Sequence, residues 1–239
     1  MKAVVCLPTY NERENLERMV RALGESLPDG ARVLVIDDKS PDGTGEIADR
    51  LATELDYVDV LHRAQKEGLG PAYIAGFRAA LAAGADLVLE MDCDFSHTPD
   101  DVPRLIAAAD AADLVLGSRY VEGGGIDGDW GFLRRVVSRC GSLYASTILG
   151  LRVRDLTGGF KCFRRRVLET IDLDRVHSRG YAFQIELTYR AVRAGFAVVE
   201  VPIRFVDRDA GTSKMSRAIV AEAVWKVPLL RLRAATGML

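Results

Sequence analysis

Apolar and polar positions in the first half of the chain follow two alternating periods. Short, mainly apolar runs at residues 3–7, 32–36, 58–61, 87–91 and 114–116, interrupted only by Arg32, Asp59 and Glu90, are bounded by polar or turn-forming residues, the mark of strands covered on both faces. Between them apolar residues recur every three or four positions. Leu16, Met19, Val20 and Leu23 share one face of a helix predicted from Asn11, whose Asn11-x-x-Glu14 spacing suits a capping box, to about Ser26. Residues 44–55 and 68–83 read as further helices, the second opened by Gly68-Leu69-Gly70-Pro71, and another starts at Pro99. Pro28-Asp29-Gly30 and Ser40-Pro41-Asp42-Gly43 are turns. This alternation predicts an α/β fold, a mostly parallel central sheet with right-handed crossovers, flanked by helices.

The second half is less regular. Residues 133–149 read as an amphipathic helix with a basic start, 155–163 as strand and turn around Gly158-Gly159, and 183–194 as a helix. A strand at 197–206 carries Pro202, which assigns it to an edge or bulge. A last helix, 216–233, is expected to kink near Pro228. No linker, low-complexity stretch or internal repeat divides the 239 residues, so one domain over 1–239 is expected.

Composition narrows the class. With 49% hydrophobic residues the chain can bury a core without disulfides. Cys6, Cys93, Cys140 and Cys162 lack CxxC or metal spacing, which suits a reducing compartment. The opening apolar run, stopped by Pro8, is too short for a signal peptide, and no apolar window of about eighteen residues predicts a transmembrane helix. A net charge of −2 argues against a nucleic-acid binder. The charges are unevenly spread, however. Residues 131–167 hold nine Lys and Arg against the single acid Asp155, whereas residues 92–113 are acid-rich.

Open α/β sheets bind ligands beyond the carboxyl ends of their strands. Three such ends are polar: Pro8-Thr9-Tyr10-Asn11-Glu12, Asp37-Asp38 and Asp92-Cys93-Asp94-Phe95-Ser96-His97. Two carboxylates two residues apart can converge on one hard cation, and Mg²⁺ favours one or two carboxylates plus substrate phosphates. Asp37-Asp38 could hold a ribose or a base edge, and Gly68-x-Gly70 could let backbone approach a nucleotide. Arg119 follows a strand; Arg208 and Lys214 lie in a polar, Gly-containing loop able to close over a diphosphate. His62 and His177 read as surface or packing residues. His97 is either a cap residue or a neighbour of the metal ligands.

The ordered set of motifs resembles the polyprenyl-phosphate (dolichyl-phosphate) mannose synthases of glycosyltransferase family 2. Its members are Leu7-Pro8-Thr9-Tyr10-Asn11-Glu12, Val35-Ile36-Asp37-Asp38-Lys39-Ser40-Pro41-Asp42-Gly43-Thr44, Gly68-Leu69-Gly70-Pro71-Ala72-Tyr73 and Met91-Asp92-Cys93-Asp94-Phe95-Ser96-His97. They continue through Gly117-Ser118-Arg119-Tyr120, Thr157-Gly158-Gly159-Phe160, Gly180-Tyr181-Ala182-Phe183-Gln184-Ile185-Glu186 and Val201-Pro202-Ile203 on to Lys214, nearly the whole chain. The resemblance implies a GT-A, Rossmann-like fold, GDP-mannose as donor and Mg²⁺ or Mn²⁺ as cofactor. It implies a nucleotide-binding half over about 1–118, an acceptor-binding half over about 119–215 and a C-terminal helix beyond. Pro8, Tyr10, Glu12, Ile36 and Asp37 would line the nucleoside pocket, with Asp38 and Gly70 nearby. Asp92, Asp94 and Ser96 would serve the metal. Arg119, Arg208 and Lys214 would hold the donor diphosphate or acceptor phosphate, with Arg134 or Arg135 facing the acceptor.

The reaction implied is inverting displacement by the phosphate of a polyprenyl phosphate. That phosphate is already anionic and needs no general base. Such a chain is expected in the cytoplasm, peripherally bound to the cytoplasmic face of a membrane, directly or through a separate membrane subunit. The basic 133–149 segment and the Trp225–Leu232 region are candidate docking surfaces. The rival readings are a UDP-glucose-dependent polyprenyl-phosphate glucosyltransferase and a non-catalytic nucleotide-binding subunit. A nucleotidyltransferase is disfavoured, because Pro8-Thr9-Tyr10 stands where its Gly-rich, basic signature would follow the first strand.

Overall fold

The computed structural model describes residues 1–127, 132–178, 180–206, 217–237 and 239. Its strands are β1 (Ala3–Thr9), β2 (Arg32–Asp37), β3 (Val58–His62), β4 (Leu87–Glu90), β5 (Leu114–Ser118), β6 (Gly125–Ile126), β7 (Lys161–Arg164), β8 (Val198–Pro202) and β9 (Arg204–Phe205). The helices are α1 (Leu16–Ser26), α2 (Thr44–Glu54), α3 (Leu69–Ala82), α4 (Val102–Ala108), α5 (Phe132–Leu149), α6 (Arg165–Thr170), α7 (Gly180–Arg193) and α8 (Arg217–Ala235).

Strand alternation sorts the core into two layers. Val4 and Cys6 of β1, Leu34 and Ile36 of β2 and Val88 of β4 pack on one face against Tyr73 and Phe77 of α3 and Phe183 of α7. Ala145 of α5 and Val227 and Leu230 of α8 join that layer. Val5, Leu7, Val33, Val35 and Leu89 point the other way, against Leu16 and Met19 of α1, Leu51 of α2 and Leu105 of α4. Strands β1, β2, β4 and β5 are thus buried on both faces, as their mainly apolar runs required, whereas β3 at the sheet edge exposes Asp59 and His62.

The seven-stranded sheet runs β3-β2-β1-β4-β7-β5-β8, and a two-stranded sheet joins β6 to β9. Pairs β1–β2, β1–β4, β2–β3 and β5–β8 are parallel. Strand β7 is not: it lies antiparallel between β4 and β5. It falls at the end of the 155–163 segment read as strand and turn, but its four residues include Lys161 and Arg164, so nothing announced its central, antiparallel place, and α6 behind it was not predicted. Pro202 ends β8 at the sheet edge, where its missing N–H costs nothing in the ladder.

Helix α1 starts at Leu16, not Asn11. Asn11 takes a left-handed φ of 56°. Its amide donates to Ser40 Oγ at 3.1 Å, and that of Glu12 to Thr44 Oγ1 at 3.0 Å. Those long-range bonds tie residues 11 and 12 to the loop after β2 and delay the helix.

Candidate active site

Strand β1 lies between β2 and β4, so the loops leaving all three sit side by side at one sheet edge. Among the described residues, three non-glycine residues have positive φ, one in each loop: Asn11 at 56°, Lys39 at 59° and Phe95 at 60°. Such backbone is held only where the surroundings over-determine it, which marks these loops as functional.

Asp37, only 4% exposed, accepts the Ser40 amide at 3.3 Å and lies 3.7 Å from His62 Nδ1. A Cβ on Gly45 would come within 3.1 Å of its carboxylate, so a glycine there leaves Asp37 room. Asp38 is ion-paired with Arg63, and the Lys66 ammonium sits 3.4 Å from the Tyr10 ring centroid. Glu12 Oε2 accepts from Asn15 Nδ2 at 2.9 Å, and Pro8 is half-buried at the end of β1. His62 is a surface residue, as its reading expected, with its ring 2.8 Å from Asp49; Arg63 and Lys66, which hold Asp38 and Tyr10, were not singled out. The strand-end rule would have found them, because they follow β3, the fourth parallel strand to end on this edge.

The loop after β4 is built to present two carboxylates. Tyr73 Oη donates to Asp92 Oδ1 at 3.3 Å. The Asp92 amide donates to His97 Nδ1 at 3.4 Å, closing the loop on itself. His97 is wedged between Phe160, stacked at 4.9 Å, and the edge of Phe205 at 5.4 Å. Asp94 Oδ1 accepts both the amide and the hydroxyl of Ser96, at 3.0 and 2.5 Å. Among the described residues no group of three or more His, Cys, Asp or Glu stands together as a metal cluster. The carboxylates of this loop, Asp92 and Asp94, are of the type that suits a hard divalent cation whose remaining ligands would be substrate phosphates and water.

Several expected contacts are revised by packing. Ser96 is 1% exposed and its hydroxyl donates to Asp94, so it also orients that carboxylate. The Ile36 side chain is fully buried in the core layer of Tyr73 and Phe77, so only its backbone reaches the pocket edge. A Cβ at Gly70 would meet Phe183 at 3.0 Å and the Ser178 carbonyl at 3.2 Å, so the close approach it allows is to α7 rather than to a nucleotide.

Arg119 is also spoken for. Its Nε and Nη2 donate to the two oxygens of Asp155 at 2.7 and 2.6 Å, and Nη2 donates to Thr157 Oγ1 at 2.9 Å. Burial alone would raise the Asp155 carboxyl, but the adjacent guanidinium outweighs it and holds the group below its ordinary value. The pair anchors neighbouring elements: Thr157 bonds Ser142 of α5 at 3.0 Å, and Tyr120 Oη donates to Ser138 of α5 at 2.7 Å. Arg119 thus shapes the wall, and the direct phosphate clamp expected of it gives way to this pair.

Arg208 and Lys214 fall outside the described residues, as does the side chain of Arg134. Arg135 lies exposed on α5. The Val206 amide donates to the Ser96 carbonyl at 3.2 Å, which brings the chain to the metal loop two residues before Arg208. Beneath the site, Lys161 of β7 is fully buried and donates to the Gln184 carbonyl and Oε1 at 2.7 and 2.6 Å. Burial pulls its ammonium down to about 8, opposed by Glu90 and Asp155. Burial pushes the neighbouring Glu90 carboxyl up to about 7, with Lys161 opposing.

A family model described as glycosyl transferase family 2 matches residues 4–172. The polyprenol monophosphomannose synthase of Mycolicibacterium smegmatis is 49% identical over 228 residues, covering 95% of this chain and 85% of that protein. The undecaprenyl-phosphate mannosyltransferase of Micrococcus luteus is 49% identical over 227 residues, covering 95% and 93%. Among solved structures, glucosyl-3-phosphoglycerate synthase from Mycobacterium tuberculosis with Mn²⁺, UDP and glucosyl-3-phosphoglycerate superposes with a TM-score of 0.68. It is 21% identical and covers 100% of this chain and 81% of that one, a likeness of fold, GT-A.

Proposed function

From the premise that this chain belongs to glycosyl transferase family 2, we propose that it transfers mannose from GDP-mannose to a polyprenyl phosphate, forming the β-mannosyl phosphate with inversion. The observation that carries this reading is the reach of the similarity. Relatives named for mannose transfer to polyprenyl carriers match 95% of the chain at 49% identity, spanning both the carboxylate loops and the Arg119–Asp155 wall.

The chain's groups divide the work. Asp37, together with the Tyr10–Lys66 pair of the neighbouring loops, receives the nucleoside; a carboxylate accepts well from the N–H groups of guanine. Asp92 and Asp94 are the residues that would hold Mg²⁺ or Mn²⁺, whose charge neutralises the departing nucleoside diphosphate. Arg208 and Lys214 are assigned to the diphosphate, and Arg134 or Arg135 to the acceptor phosphate. The acceptor oxygen is anionic, so catalysis reduces to positioning and charge stabilisation.

A polyprenyl acceptor sits in a bilayer, and no described helix is long and apolar enough to cross one. Leu143 and Tyr144 of α5 and Val224, Trp225 and Leu232 of α8 are exposed, and Tyr144 Oη joins the two helices through the Val224 carbonyl at 2.7 Å. Arg135, Arg139, Arg231 and Arg233 flank them. This face suits peripheral docking on an anionic cytoplasmic leaflet, alone or beside a separate membrane subunit. Flotation with anionic vesicles should carry wild type upward and leave Leu143→Asp/Trp225→Asp behind; wild type left behind would make the subunit obligatory.

The decisive assay incubates purified protein with Mg²⁺, a short polyprenyl phosphate and either labelled GDP-mannose or UDP-glucose. Lipid-extractable label from GDP-mannose alone, lost with a chelator, is expected. Label from UDP-glucose instead would overturn the donor and keep the reaction class.

A further inference from the structure

The Tyr73 ring of α3 is fully buried, parallel to Phe183 of α7 with centroids 6.2 Å apart and stacked on Phe77 at 5.8 Å. A phenylalanine would fill that space equally well. The hydroxyl is what needs a reason, because a buried phenol needs an acceptor. It reaches out of the core to Asp92 Oδ1, at 3.3 Å. Gly70, one turn earlier, allows this: any Cβ there would press on Phe183 and on the Ser178 carbonyl and hold α3 away from α7. The glycine-rich start of α3 thus seats Tyr73 beneath the Asp92 loop.

We propose that Tyr73 is a positioning residue for Asp92, fixing the carboxylate's rotation so that the Asp92 and Asp94 pair is preorganised for a divalent cation. This rests on the metal-binding reading given above. A site built on the two carboxylates of Asp92 and Asp94 depends on their orientation, and partners behind metal ligands contribute about 10–100-fold in affinity. His97 performs the companion task on the Asp92 backbone.

The test is Tyr73→Phe, which keeps the ring stack and removes one oxygen. Mn²⁺ binding in the presence of saturating GDP and without acceptor is followed by the electron paramagnetic resonance of free Mn²⁺. Asp92→Ala serves as the reference for loss of the site. The expected result is about tenfold weaker Mn²⁺ binding, an unfolding midpoint close to wild type, and turnover recovered by raising Mn²⁺. Affinity within about twofold of wild type would overturn the role of Tyr73 while leaving the metal site standing. Unchanged binding in Asp92→Ala would overturn the site itself, and the role of Tyr73 with it.

Discussion

Two acidic sites lie on opposite sides of β7 and are treated in opposite ways. At the metal loop, Asp94 is oriented by the amide and hydroxyl of Ser96, and Asp92 by the phenol of Tyr73. At the Arg119 wall, Asp155 is fully buried and gripped by a guanidinium through two short bonds. A neutral donor fixes a carboxylate's direction without cancelling its charge. An arginine fixes it and cancels it. The first arrangement suits a group that must meet a cation arriving with substrate; the second suits a scaffold.

The sharpest break in that contrast comes from Asp155→Ala. It strands the Arg119 charge in the interior, and the unfolding free energy in urea should fall by about 3–5 kcal/mol. An apolar pair, Arg119→Met with Asp155→Leu, should recover most of it, since a well-packed replacement avoids both desolvation costs. A loss below about 1 kcal/mol for the single variant would contradict the scaffold role. Asp94→Asn should act the other way round. Its unfolding midpoint stays near wild type, while transfer drops by more than about 100-fold at fixed Mg²⁺. Near-normal turnover would remove Asp94 from the metal site.

The pair between the two sites, Glu90 and Lys161, should show in the pH dependence of stability. The folded-state pKa of Glu90, about 7, lies above its ordinary 4.5. The folded protein therefore keeps a proton that the unfolded chain has released. Glu90's contribution is full below the ordinary value and lost as pH climbs through about 7. Glu90→Gln should flatten the fall in unfolding free energy between about pH 5 and 7; an unchanged slope would show the carboxyl ionising as in water. The smallest effect belongs to His62. Its hydrogen bond to Asp49 raises its pKa, with Asp37 adding to the shift. The resulting stabilisation is present below about 6.5 and lost as pH rises through the folded value. The ring is half exposed, so His62→Ala should change stability by about 0.5 kcal/mol or less, and only in acid.

The donor half was legible because its signals are local. An apolar run that stops at a carboxylate already states that a buried strand ends there, and neighbouring parallel strands end on one edge. Pro8, Asp37, Asp92 and Asp94 follow from that rule, and Arg63 and Lys66 would have followed had it been extended to the end of β3. The central, antiparallel place of β7 was not legible, although 155–163 reads as strand and turn. Lys161 is tolerated at the sheet centre only because Glu90, Asp155 and Gln184 gather around it, and Glu90 and Gln184 come from distant parts of the chain.

Sequence by itself determined the two-layer α/β core, the three polar loops and the type of chemistry two acids at Asp92 and Asp94 can perform, because periodicity and strand ends are written in consecutive residues. Tertiary structure alone decided which polar groups face substrate and which face each other. Arg119 is turned onto Asp155, the Ser96 hydroxyl onto Asp94, and Gly70 lies against Phe183. Each outcome depends on a partner 2 to 113 residues away, respectively Asp155, Asp94 and Phe183. For the two distant pairings, that of Arg119 and that of Gly70, residue type carries no record of the pairing until the chain has folded.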